Sequence, residues 1–373
     1  MSMNFTHSTK KRRQRGVTLV ELMVSLVLGL VLTAGIIQVF VGNRTTYAFN
    51  DGLSRIQENA RFSLDHIAYS VRMAGYSGCL SEVALHNNLK AELPFRDDIV
   101  NGIQGFDANG TGTGEEFVAG SSDPAPSTNE NNWTPALPTP HLDNLVIPGS
   151  DVLVVRGVAG SARPLLTPFS SPNELNTDSS HDFMKGEILV VSDCQKASIF
   201  QLTDITGAGT AVKLVHGDAA GFSPGNDSDT WPPEQEYGLG SEVARLDWYA
   251  FYVGRGADGP ALFQLRLRRT SDTESEFESD ELVSGIETMQ VRYGLDADSD
   301  GAIEEMVPAD EVGDWSFVSS VEISLLARAT EEYGTDTDVT SYRLGGTTRF
   351  VPVEDRRFRQ VFSTTIGVRN RLP

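Results

Sequence analysis

The sequence predicts an α+β fold, one long N-terminal helix packed on an enlarged antiparallel β-sheet body. Three observations predict it. An uncharged apolar run of 20 residues lies at Leu22 to Val41, an apolar stripe of helical period continues past it, and short strand-like runs fill the chain beyond residue 150. One helix followed by many strands separates the two element types, which points to α+β rather than to alternating α/β.

The first element begins after a basic cluster. Residues 1–16 hold Lys10, Lys11, Arg12, Arg13 and Arg15 and no acid. The formal net charge of the 373 residues is −21, so without this cluster 25 bases face 51 acids, a net −26. So acidic a body argues against nucleic acid as the main partner, because phosphate binding needs a basic face. It suits a domain outside the cytoplasm or one that binds cations.

The run from Leu22 to Val41 is long enough to cross a bilayer as a helix, and the cations ahead of it should stay cytoplasmic. A secretory signal has an apolar region of about 7 to 15 residues before its cleavage site. This run is longer, although Thr33 to Gly35 reads as a weak site. A plain anchor explains the length but leaves Glu21 unexplained, since a carboxylate near hydrocarbon costs roughly 2.5 kcal/mol or more. The stretch Gly16-Val17-Thr18-Leu19-Val20-Glu21 resembles the signal of the type IV pilin-like family. That resemblance implies cleavage after Gly16 by a prepilin peptidase and N-methylation of Val17, where the family usually has Phe. It also gives Glu21 a purpose. Cleavage creates an ammonium group at Val17, and a neighbouring subunit's Glu21 pairs with it, so that a wrong axial register leaves both charges buried alone.

Beyond the membrane run, Leu53, Ile56, Ala60, Leu64, Ile67, Val71 and Ala74 form one stripe at steps of three and four. The expected helix therefore runs from about Val17 to Ala74, loosened around Gly42 and Gly52 and ended by Gly75. Its first half, residues 17–41, is the transmembrane or filament-core part; its second half, residues 42–75, is amphipathic and packs on the sheet. Residues 76–373 form the exported β-rich body.

Within the body, residues 101–149 are rich in Gly, Pro, Ser, Thr and Asn and are expected as a loop or insertion, ordered in part by Trp133. Strand-like runs follow at 151–158, 186–194, 198–205, 211–217, 244–254, 261–269, 286–295, 319–329 and 359–370. The two cysteines, Cys79 and Cys194, read as buried thiols in a reducing compartment and as one disulfide in an exported chain.

Three further stretches carry a closer resemblance. The helix end "QENARFSLDHIAYSVRMAGYSGC", the Asp-Cys stretch "VSDCQKASIFQLTDI" and the terminal "RRFRQVFSTTIGVRNRLP" are similar to the PilW-type minor pilins of type IV pilus assembly. With the signal they cover about a fifth of the chain. The resemblance implies an enlarged type IV pilin-like fold and a Cys79–Cys194 disulfide, a closure of more than a hundred residues that contributes about 4.7 kcal/mol in the chain-entropy account.

Few residues suggest chemistry. "DADSDGAIEEMV" places Asp296, Asp298 and Asp300 at alternate positions before Gly301, the first half of an EF-hand-type calcium loop. The Ala302 carbonyl would be a further ligand, and Val307 stands where the bidentate Glu belongs, so Glu304 or Glu305 would have to substitute. The competing reading is a solvated hairpin turn. "GRGADG", Gly254 to Gly259, matches a dinucleotide fingerprint only in spacing, because a strand rather than a helix follows; it reads as a hairpin turn. The six histidines show no metal-ligand spacing and "GYSGC" is no nucleophile elbow, so no enzyme is expected. No cofactor is expected to be required, calcium being the one candidate.

The resemblance implies a minor pilin of the tip or initiation complex that primes type IV pili, in support of twitching motility, adhesion or DNA uptake. Its implied partners are other minor pilins, the major pilin, the prepilin peptidase, the inner-membrane assembly machinery and a pilus-tip adhesin. The body would lie in the periplasm on a single-pass inner-membrane anchor before assembly, and on the pilus afterwards. Two alternatives remain open: a minor pseudopilin of a type II secretion system, and a membrane-anchored calcium-binding adhesion protein that never polymerises.

Overall fold

In the computed structural model the described residues are 16–75, 84–90, 102–139, 141–169, 173–193, 195–207, 209–228, 230–231, 235–298, 300–333, 336–345 and 348–369. The chain divides into two units, Met1–Asp51 and Gly52–Pro373.

One helix, Leu19–Arg72, supplies the only α-helical element among the described residues. Thr18 caps it: the Glu21 amide donates to Thr18 Oγ1 at 3.3 Å, and that hydroxyl donates to Glu21 Oε2 at 3.5 Å. By length and composition the helix is able to cross a membrane. Its apolar side chains from Leu19 to Val41 are exposed. The helix continues through Gly42 and Gly52 rather than loosening there. Gly52 instead permits close packing, since a Cβ at this position would lie 2.7 Å from the Tyr333 ring. In the second unit the expected stripe is buried at Ile56, Ala60, Ile67, Val71 and Ala74, while Leu64 packs at its margin.

The stripe meets a four-stranded antiparallel sheet in the order Glu305–Val307, Ile286–Leu295, Val318–Arg328, Arg359–Gly367. Met289, Val291, Ile323, Leu325 and Ile366 share one core with the helix, joined by Leu153, Phe251 and Leu262 from a larger sheet. That nine-stranded sheet is built around the 15-residue strand Glu242–Gly256. One edge of this strand pairs with Val152–Pro164; the other pairs first with Ile188–Ser192 and then with Gly259–Arg269. The expected hairpin turn at "GRGADG" is present, with Gly256 opposite Gly259 and Gly259 at φ 104°.

All nine expected runs contain strands, and the structure adds others. Ser275–Ser284 follows the hairpin as an outer strand, and Gly285, at φ 80°, turns the chain into Ile286–Leu295. The segment expected as a loop contains strands Ile103–Ala108, Glu116–Val118 and Trp133–Thr134. Trp133 is its anchor: it is buried with Phe106, Leu142 and Trp248, and its Nε1–H donates to the Ser150 carbonyl at 2.8 Å. Pairing is mostly antiparallel, with parallel exceptions at Ala84–Asn87 on Lys196–Gln201 and at Glu116–Val118 on Thr348–Val351.

Candidate functional site

Gly16 and Val17 precede the helix in exposed, non-helical backbone, one residue ahead of the Thr18 cap. Glu21 is also exposed, at the third helical position, where a carboxylate meets the positive end of the helix dipole. Glu21 thus has a local partner in Thr18, which the Thr-x-x-Glu spacing of a capping box foretells. Cys79 and Cys194 lie outside the described residues.

The acidic loop after Ile286–Leu295 brings together Asp296, Asp298, Asp300 and Glu304, whose nearest carboxylate oxygens all lie within 4.8 Å of one another. Gly301, at φ 87°, makes the turn that closes them. Asp296 is buried and its oxygens accept the amides of Asp300 at 3.1 Å and Gly301 at 3.0 Å. Asp300 accepts the Ala302 amide at 2.7 Å, and Glu304 accepts that of Ala297 at 2.9 Å. Ionised carboxylates keep further lone pairs after such bonds, so the group retains acceptors for a hard cation. Of the two substitutes, Glu304 joins the cluster, whereas Glu305 opens the strand Glu305–Val307. Val307, at the place of the missing bidentate Glu, is buried opposite Tyr293.

Two groups of buried ionisable side chains were not foreseen. Asp151 joins the two sheets: its oxygens accept the Ala108 amide at 3.0 Å and the Val291 amide at 2.8 Å. Burial raises its carboxyl to about 7, against the lowering effect of those two amides. Asp107 beside it is pushed to about 9 by burial, with the charges of Asp151 and Asp310 adding to it. The Tyr293 hydroxyl, near both acids, is buried with no hydrogen-bond partner among the described residues. Gly105 leaves the room, since a Cβ there would lie 2.0 Å from that oxygen.

The second group centres on Arg359, which is fully buried at the start of the terminal strand. It donates to Glu287 at 2.6 Å, to both oxygens of Asp355 at 2.7 and 2.9 Å, and to Asp338 at 3.2 Å. Arg328 reaches Glu287 at 3.5 Å. Burial opposes ionisation of Asp355, yet the hydrogen bonds from Arg359 and Arg357 outweigh it and bring the carboxyl down to about 2.

A prepilin-type motif ahead of a long apolar helix, with a large β-sheet body after it, is the α+β arrangement of a type IV pilin-like fold. Residues 11–37 match the family model "Prokaryotic N-terminal methylation motif". Residues 250–370 match the family model "PilW: Type IV Pilus-assembly protein W". The two matches support a PilW-type minor pilin of the type IV pilus. The second one spans the acidic loop, the Arg359 network and the four-stranded sheet. Among curated proteins and among solved structures, nothing matches the chain.

Proposed function

We propose that this minor pilin works in the tip or initiation complex that primes pilus assembly, serving twitching motility, adhesion or DNA uptake. In this reading cleavage follows Gly16, Val17 becomes the N-methylated first residue, and Glu21 of one subunit meets the new ammonium of its neighbour. Residues 17–41 then form the membrane or filament-core half of the helix, and residues 42–75 carry the body. The proposed partners are other minor pilins, the major pilin, the prepilin peptidase, the inner-membrane assembly machinery and a tip adhesin. The body waits in the periplasm and leaves with the pilus, with Cys79 and Cys194 joined in the oxidising compartment. The observation that carries the reading is the joint occurrence of the methylation motif and the C-terminal PilW match in one chain. Deleting the gene tests it. Loss of surface pili and motility with normal secretion of exoenzymes is expected; normal pili with lost secretion would instead mark a type II secretion pseudopilin.

A second reading concerns the acidic loop, and the convergence of Asp296, Asp298, Asp300 and Glu304 within 4.8 Å favours it. We propose that it takes calcium, with the Ala302 carbonyl as a backbone ligand. Millimolar calcium is expected to raise the melting temperature of the wild type and not of Asp298→Asn/Asp300→Asn. An unchanged wild-type melt would leave these residues as a solvated turn.

A further inference from the structure

The strand Arg359–Gly367 ends the four-stranded sheet, pairing with Val318–Arg328 on one side and, among the described residues, with no strand on the other. Backbone bonds at its two ends show which of its groups face outward. The Val368 amide donates to Ser319, and the Ala329 amide donates to Phe358. Hydrogen-bonded pairs alternate along an antiparallel ladder, so Gln360, Phe362, Thr364 and Ile366 turn their main-chain groups inward. Val361, Ser363 and Thr365 therefore turn theirs away from the sheet.

Edges of this kind are usually guarded by charge. The outer strand of the larger sheet is guarded: Ser275–Ser284 carries Glu276, Glu278, Asp280 and Glu281. The terminal strand has no charge from Gln360 to Gly367, and its β-branched and aromatic residues suit further pairing. Beside it the helix forms the wall of a groove of about 810 Å³, lined by Glu58, Arg61, Phe62, Asp65, Phe362 and Thr364. Phe62 is half exposed there. The wall offers apolar surface together with two acids against one base.

We propose that this edge and groove receive a β-strand from another polypeptide, laid along Val361 to Thr365. Main-chain bonds hold such a strand, and alternate side chains enter the groove. The groove calls for apolar residues there and, with Glu58 and Asp65 against the single Arg61, for a strand that also carries a Lys or Arg. A second copy is a poor occupant, because its body carries −26 and its other outer strand is acidic. The inference rests on the sheet edge and not on the pilus reading, so it is tested in whole cells.

The photo-cross-linker p-benzoylphenylalanine is placed at Gln57, an exposed residue of the groove wall, in the full chain in its native cells. After irradiation, the attached peptide is sequenced by mass spectrometry. An adduct with a foreign segment of alternating apolar residues and a nearby Lys or Arg is expected. Thr365→Pro removes only an outward N–H and should lower the adduct at least tenfold at unchanged protein level. Glu58→Lys/Asp65→Lys, a surface change that leaves the fold intact, should lower it several-fold and decides the matter if the proline variant does not fold. No adduct, an adduct with a second copy, or one that survives the charge reversal would overturn the proposal.

Discussion

Thr18 and Glu21 show how one side chain carries two constraints. Locally they cap the helix, which is worth about 1 kcal/mol in typical cases. In the proposed filament the same carboxylate would pair with a neighbour's terminus, and Thr18 holds it only at 3.5 Å. Glu21→Ala is expected to leave export and folding intact while reducing the protein in sheared pili, as read by immunoblot; Glu21→Gln separates the roles, because it keeps a capping side chain and loses the charge. Asp107 and Asp151 give a second prediction at this scale. Their folded-state values, about 9 and about 7, lie above the ordinary carboxyl range, so the folded chain binds these protons more tightly than the unfolded one. The stabilisation from the pair is full below about pH 4 and is lost as pH rises through its raised folded-state range. Melting temperature should fall from pH 6 to pH 9, and Asp107→Asn should flatten that fall. The cap was not foreseen, although the Thr-x-x-Glu spacing carries its signal. The acid pair carries no such signal, because Asp107 and Asp151 lie 44 positions apart and meet only through strand pairing.

Among the elements, the helix and the strands with clear alternation were readable, as the stripe from Ile56 to Val71 and the run "FQLRLRR" show. Ser275–Ser284 was not, and the reason is physical. It is an outer strand whose acids face Arg266 and Arg268 across the ladder, so its sequence carries the polarity of a loop. Ile103–Ala108 was hidden by glycines that serve a packing need, Gly105 against Tyr293 among them. The terminal strand depends on Arg359, whose partners Glu287, Asp338 and Asp355 come from three separate segments. Arg359→Ala strips a buried arginine from three carboxylates and should cost about 3–5 kcal/mol, measured by denaturant unfolding. A loss under 1 kcal/mol would mean that the network contributes little to holding the strand.

The molecule as a whole joins a match to the N-terminal methylation motif, residues 11–37, to a C-terminal PilW match at residues 250–370. Most strands of the nine-stranded sheet lie outside that match, and the acidity of the body contrasts with the basic residues 1–16. These features meet in one claim, that the chain matures by losing its leader and enters the pilus through the helix thus exposed. Mass spectrometry of the protein recovered from sheared pili tests this most directly. The account predicts an N-terminal peptide beginning with N-methylated Val17. A chain that is absent from pili and keeps its residues up to Gly16 in the membrane would contradict it.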